Sequence, residues 1–424
     1  MICLLASKTE QLALCRVCQH LKLICTRLIY HTVFADETNP IKFIQLCRTL
    51  TKVPAAAIAV RELRMEMSSP SHRYRRLGSI CRIFRDALLK TTSLTTLCFC
   101  NRWRQGEPSL YLQGCDFPQL KNFTVEYNAS GHGDDAIYKF ISRHSTTIST
   151  LCIRSFCRFD GQGKMATSYK PLALPKLLMY GGSDAWLDVI IPINKPNFVY
   201  LSSSDCLPNP LQPSAIDHLS CILALSKGGI QDFRLDFDRW DTRILAMFHQ
   251  LTDLTTLVLS VVTNPPVVFP LKFFDALEKQ CLPRMTQLRR LHLRNAIYIV
   301  DDDDIEEIYD RDYELEYIRR WHKICPQLED VRFPTRHYWK LVKWNRSEST
   351  IWVPSNDFNH QGGLIWATTA IAVGHYPVNL KTLPKEVDDA VLRIQNKFPS
   401  WIGKRDIDAM YAICASTLDW STYV

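Results

Sequence analysis

Large apolar residues recur along the chain in the spacing Φ-x-x-Φ-x-Φ, where Φ is a bulky aliphatic or aromatic side chain. Copies read Val60-Leu63-Met65, Leu94-Leu97-Phe99, Leu120-Phe123-Val125, Ile148-Leu151-Ile153 and Leu174-Leu177-Met179. They continue as Ile230-Phe233-Leu235, Leu254-Leu257-Leu259, Leu288-Leu291-Leu293 and Leu328-Val331-Phe333, with a weaker Pro196-Val199-Leu201 in between. The closing Φ-x-Φ has strand period, so both side chains point into one layer. Stretches of helical period separate the copies: Leu77, Ile80, Phe84 and Leu88; Ile137, Phe140, Ile141 and His144; Ile216, Leu219, Ile222 and Leu223. A shorter stripe runs through Phe274, Leu277 and Cys281, and Pro118, Pro175, Pro283 and Pro326 sit shortly before strands. The first positions 94, 120, 148 and 174 are 26, 28 and 26 residues apart. A strand, a turn, a helix and a return need about that length. Neither element can bury its apolar side alone, so such units must stack on one another. An ordinary α/β domain with alternating strands and helices is the other reading of the pattern.

Over residues 55–335 the register resembles the leucine-rich-repeat proteins, in a divergent form with long helical units. The asparagine expected after the third Φ is mostly absent, although Asn295 follows Leu293 by two. The resemblance implies an α/β fold: a leucine-rich-repeat solenoid, with a curved parallel sheet lined by helices, whose work is binding a protein.

Before the repeats, Leu14, Val17, Cys18, Leu21, Ile24, Leu28 and Ile29 mark one apolar helical face with basic and polar residues opposite. Val17-Cys18-Gln19-His20-Leu21 and Leu28-Ile29-Tyr30-His31-Thr32-Val33 resemble the second half of an F-box. A helical F-box segment before divergent leucine-rich repeats is similar to a large class of fungal F-box proteins. That family's opening Leu-Pro-led helix has no counterpart here, so residues 1–36 read as an F-box truncated at its N-terminus. The resemblance implies docking of a Skp-family adaptor through Leu14, Val17, Cys18, Leu21 and Leu28. The repeats of such a protein hold a protein substrate for a Skp–cullin–RING ubiquitin ligase. The alternative is a standalone repeat scaffold with a degenerate F-box, in which the first helix simply caps the first repeat.

Composition narrows the field. With 46% apolar and 22% charged residues the chain belongs with folded proteins. Its net charge of +8 is spread thinly without a Lys/Arg block, which disfavours a nucleic-acid partner. The 16 cysteines are scattered singly rather than framed for disulfides. Several, such as Cys81, Cys98, Cys152 and Cys221, are assigned to apolar faces as small hydrophobes. The apolar start is broken by Lys8 and Glu10, and the longest apolar run, Leu364 to Val373, is too short to span a bilayer. The reading is therefore a reducing compartment, cytoplasm or nucleus, and no membrane.

Candidate chemistry is sparse. Cys15-x-x-Cys18 lacks the second pair that a zinc site needs. Gly131-His132-Gly133-Asp134-Asp135 lacks phosphate-loop spacing and reads as a turn with an aspartate helix cap. The run Asp301 to Asp304 with Glu306 and Glu307 reads as a solvated loop opening a helix. No nucleophile elbow or paired-histidine helix occurs, so no enzyme, no cofactor and no metal site is expected.

What remains is the outward face of the strands. Beside and between the last two Φ positions stand Arg64, Thr124, Arg154, Tyr180, Tyr200, Arg234, Asp236, Arg290, His292, Arg294 and Arg332. Tyr180, Tyr200, Arg234, Asp236, Arg290, His292, Arg294 and Arg332 are the substrate-facing candidates, since tyrosine and arginine carry interface energy. The last four would form a positive patch for an acidic partner. In the tail, 336–424, Trp339, Trp344, Trp352 and Trp366 predict a cap over the last repeat. Helices are expected around 386–398 and 406–418.

Overall fold

A computed structural model describes residues 6–36, 40–67, 77–101, 109–127, 132–155, 169–183, 186–202, 213–226, 229–262, 270–295, 307–334, 338–343, 350–355, 368, 371–372 and 385–397. The chain divides into two compact units, Met1–Asp236 and Phe237–Val424. Both are mixed α/β, with helical segments between many of the strands.

The first unit carries eight strands: β1 Thr32–Asp36, β2 Glu62–Met67, β3 Thr96–Asn101, β4 Asn122–Tyr127, β5 Thr150–Ser155, β6 Met179–Gly182, β7 Phe198–Leu201 and β8 Asp232–Phe237. Each pairs in parallel with the strand before it in sequence. Their register aligns two inward rows. Val33, Leu63, Leu97, Phe123, Leu151, Tyr180, Val199 and Phe233 form one; Ala35, Met65, Phe99, Val125, Ile153, Gly182, Leu201 and Leu235 form the other. The side chains of these rows are buried. Helices predicted from the apolar stripes stand at Leu77–Leu88, His132–Arg143 and Pro213–Leu225. Phe84, Phe140 and Ile222 point into the core from them.

A second regularity does not depend on side chains. One carbonyl just before or at the start of a strand accepts from two consecutive N–H groups of the next strand. His31 takes those of Arg61 and Glu62, Arg61 those of Thr95 and Thr96, and Thr95 those of Lys121 and Asn122. Lys121 then takes Ser149 and Thr150, Ser149 takes Leu178 and Met179, Leu178 takes Asn197 and Phe198, and Asn197 takes Gln231 and Asp232. These brackets satisfy two backbone donors at the entry to each strand.

The brackets also correct one register. Donors occupy the two positions before the middle Φ, so Leu178 and Met179 make Tyr180 the middle Φ of its unit. That copy is Leu177-x-x-Tyr180-x-Gly182, not Leu174-Leu177-Met179. The position three before the first Φ is itself buried, as Ala57, Phe117 and Leu174 are. Leu174 and Leu177 therefore imitate the first two Φ three residues too early. Tyr180 consequently does not face outward. It is fully buried, and its hydroxyl donates to the Ser183 carbonyl at 2.8 Å.

The N-terminal segment is not one continuous helix. It forms helices Lys8–Leu14 and Gln19–Ile29, separated by a turn. Ser7 and Glu10 build a reciprocal cap on the first, and the Cys18 thiol accepts from Leu21 N–H at the start of the second. Thr32–Asp36 is already a strand of the sheet, so the boundary drawn at residue 36 falls at the end of β1 and the parallel register begins before residue 55. Among the cysteines, Cys81 is buried, Cys98 and Cys152 are half-buried on the outward side, and Cys221 is exposed rather than on an apolar face.

His144 shows how an imidazole enters such a core. Nδ1 donates to the Phe140 carbonyl at 2.8 Å, and Nε2 accepts from Phe117 N–H at 2.9 Å. Asp116 lies 3.5 Å from Nε2, but a nitrogen that accepts an N–H carries no proton, so the two are not an ion pair. Burial holds the His144 pKa below its ordinary value. Below about pH 6.5 the unfolded chain takes up a proton that the folded chain refuses, until the folded pKa is passed. Stability is therefore full above that pH and falls as pH drops through the window. Urea unfolding at pH 7 and pH 5 is expected to show this loss. His144→Phe should flatten that part of the pH dependence, at a cost of about 1–3 kcal/mol at pH 7 from the orphaned Phe117 N–H.

The second unit has parallel strands β9 Thr256–Val261, β10 Arg290–Asn295 and β11 Asp330–Arg332, followed by antiparallel β12 Tyr338–Lys343 and β13 Thr350–Ser355. The same bracket recurs, with Thr255 taking Arg289 and Arg290, and Arg289 taking Glu329 and Asp330. Helices run over Leu271–Gln280, Glu307–Ile324 and Lys385–Lys397. The predicted cap is thus an antiparallel extension of the sheet. Trp339 of β12 is buried and donates its indole N–H to Glu314 at 2.7 Å, and Trp352 of β13 is buried too. Asp301 to Asp304, Glu306, Trp344, Trp366 and the helix expected at 406–418 lie outside the described residues.

Candidate functional site

On a strand, residues that alternate with a buried row face the other way. In the first unit this outward face carries Arg64, Cys98, Thr124, Cys152, Gly181, Tyr200 and Arg234 in one row. Glu66, Cys100 and Glu126 align in the next row, at the positions that Arg154 and Asp236 hold in their own strands. The face is organised by contacts between strands. Arg154 reaches back one strand to Glu126 with Nη1 to Oε1 at 2.6 Å, and its guanidinium carbon stands 5.7 Å from the centre of the Tyr200 ring. Tyr200 donates its hydroxyl to Asp236. Burial and that hydrogen bond push the Tyr200 phenol up to about 12, so it stays a donor at neutral pH. Arg234 lies over the Phe198 ring at 4.8 Å and approaches Asp232 at 3.4 Å.

Gly181 sits at the middle of the outward row. A Cβ there would meet Cys152 Sγ at 3.4 Å and Tyr200 Cδ1 at 3.7 Å. The missing side chain leaves bare backbone between a thiol and an aromatic edge. The Cys152 thiol is pushed up by burial, and it acts there as a soft apolar wall. Tyr200, Arg234 and Asp236 are thus brought onto one face together with Arg154 and Glu126. Tyr180, expected among them, is in the core. Glu126 was missed because its partner lies 28 residues away, so no local spacing ties the two.

In the second unit, Arg290, His292, Arg294 and Arg332 occupy outward positions of β10 and β11. The expected positive patch is partly neutralised. His292 Nε2 lies 2.9 Å from Asp330 Oδ1, and Arg294 Nη2 lies 2.8 Å from His292 Nδ1. An arginine can only donate, so Nδ1 is the acceptor and Nε2 the donor, and the imidazole relays Arg294 to Asp330. Tyr338 of β12 donates to the other oxygen of Asp330 at 2.7 Å. Arg290 remains exposed.

The adaptor candidates separate by exposure. Val17 is 69% exposed, and Cys18 is exposed in the same turn. Leu14, Leu21 and Leu28 are half-buried, and the latter two flank the buried Cys25. Leu12, Leu23 and Ile24 add exposed apolar surface nearby. No helix among the described residues is long and apolar enough to cross a membrane. Compared with known proteins, the chain matches no family model and no curated relative.

Proposed function

We propose that the chain is a leucine-rich-repeat solenoid that binds protein. In this reading it is the substrate-recognition subunit of a Skp–cullin–RING ubiquitin ligase in the cytoplasm or nucleus. The repeat reading is supported by the carbonyl brackets, which recur at every parallel step of the first unit with the same offset from the Φ positions. The outward face offers the substrate a surface of fixed arginine, tyrosine and carboxylate groups around the Gly181 notch. Such pre-paired side chains lose little entropy on binding.

The observation that carries the adaptor half is the apolar surface of the two N-terminal helices and their turn. Leu12, Val17 and Leu23 are more than half exposed there, in a stretch that resembles the second half of an F-box. Large apolar side chains left in water supply contact area for a protein partner. The standalone scaffold draws on a different fact: Cys25 and Gln11 are buried and β1 joins the sheet, so the same helices also serve as an end cap.

Co-purification with a Skp-family adaptor separates the two. The full chain is expected to bind, and the double change Val17→Asp and Leu23→Asp to weaken binding about tenfold or more. Both positions are exposed, so circular dichroism should be unchanged. An adaptor that fails to bind the unaltered chain, or binds the double variant equally well, overturns the ligase reading.

A further inference from the structure

Two thiols on the outward face of β3 meet in a way that neither packing nor substrate binding requires. Cys98 and Cys100 are two residues apart on one strand, both half-buried, with their sulfurs 3.8 Å apart. Alternation puts both side chains on the side away from Leu97 and Phe99, which are fully buried. Their α-carbons are separated by two strand rises, about 6.6 Å, which lies near the upper end of the range that a disulfide spans. The sulfurs have to close by roughly 1.8 Å to reach bonding distance.

The surroundings distinguish the two thiols. Cys98 lies beside Arg64 in register, while Cys100 lies between Glu66 and Glu126. Arg64 favours a thiolate at Cys98, burial and Glu126 each oppose it more strongly, and burial with the same two carboxylates keeps the Cys100 proton in place. Either sulfur can donate in the contact between them; with Cys100 as the donor, the hydrogen bond lowers the Cys98 pKa and raises that of Cys100. With the bond in that direction, Cys98 is the nucleophile and Cys100 the resolving thiol.

We propose that Cys98 and Cys100 form a reversible redox pair, oxidised by hydroperoxides to an intrastrand disulfide on the outward face. The Cys98 thiolate attacks one peroxide oxygen, the O–O bond breaks, and hydroxide leaves, giving Cys98 sulfenic acid. The Cys100 sulfur then attacks the sulfenic sulfur, the S–O bond breaks, and the departing hydroxyl takes the Cys100 proton as water. Two thiols and one hydrogen peroxide thus become one disulfide and two waters. Side chains two apart on a strand project in parallel, so closing the bond shortens β3 locally and strains it. A strained disulfide is readily reduced, which makes the step reversible by a dithiol. Shortening β3 also shifts Cys100 against Glu126, the residue that holds Arg154. This chemistry is independent of any ligase role.

The test uses the full chain, hydrogen peroxide as oxidant, alkylation of remaining thiols, and peptide mapping by mass spectrometry. The expected product is a single peptide containing residues 98 and 100 that has lost two hydrogen masses and resists alkylation until dithiothreitol is added. Cys100→Ser should trap the sulfenic acid at Cys98, labelled by dimedone, and Cys98→Ser should abolish both products. Cys152→Ser should leave the crosslink intact. A crosslink to Cys152 or between chains, over-oxidation of Cys98 without a crosslink, or no change under conditions that oxidise free cysteine each overturns the proposal. Mapping of the unaltered chain decides the matter even where a variant folds poorly.

Discussion

Gly182→Ala is expected to unfold the first unit, or to cost more than about 4 kcal/mol, the range reserved for gross backbone conflict. Gly182 has φ +135°, a conformation that side-chain-bearing residues rarely adopt. The space is closed as well. A Cβ at this position would fall on the Ile153 carbonyl group of the neighbouring strand. That carbonyl belongs to a backbone held by its own ladder and accepts from Ser183 N–H at 2.8 Å, so it cannot swing away. The adjacent Gly181→Ala is the control. Its Cβ meets only the Cys152 and Tyr200 side chains, at 3.4 Å and beyond, and it should change stability by about 0.5 kcal/mol or less. Thermal unfolding followed by circular dichroism separates the two glycines. Equal melting temperatures would refute the positive-φ backbone of Gly182 against the Ile153 carbonyl.

Tyr180→Ala tests the corrected register directly. On an outward face, removal of a tyrosine ring changes stability within about 0.5 kcal/mol. In the inward row between Leu151 and Val199 it removes a fully buried aromatic ring and leaves a cavity. That costs about 3–5 kcal/mol. Tyr180→Phe keeps the ring and loses the hydrogen bond to the Ser183 carbonyl, about 1 kcal/mol. Urea unfolding of the two variants gives the comparison, and a near-silent alanine variant would return Tyr180 to the surface.

The inner rows were legible because burial demands large apolar side chains at period two, and Leu63, Leu97, Phe123 and Leu151 supply them without interruption. The helix Leu77–Leu88 was legible for the analogous reason at period 3.6. Legibility failed where the inward slot holds a small or atypical residue. Gly182 fills the third Φ slot of its unit, so the copy appeared to end at Met179. Ala35 does the same in β1, where Tyr30-Val33-Ala35 is the first copy, and the strand was absorbed into an F-box helix. The outward face was legible only as a set of positions. Which groups meet there depends on neighbours a full unit away, as Arg154 with Glu126 and Tyr200 with Asp236 show, and no local spacing encodes such pairs. The Arg294–His292–Asp330 relay was half visible: its basic members stood out, and the aspartate that quenches them did not.

The carbonyl brackets of the first unit have a consequence for how the polypeptide is made. Each strand pairs with the one just before it in sequence, and its bracket acceptor is always already synthesised. No strand from β2 to β8 has to wait for a later segment before its N-terminal edge is satisfied. Pairing of sequence neighbours keeps loop closure short. The first unit can therefore assemble from its N-terminus as it leaves the ribosome, adding one strand at a time. The exposed edge at any moment is then a single strand deep.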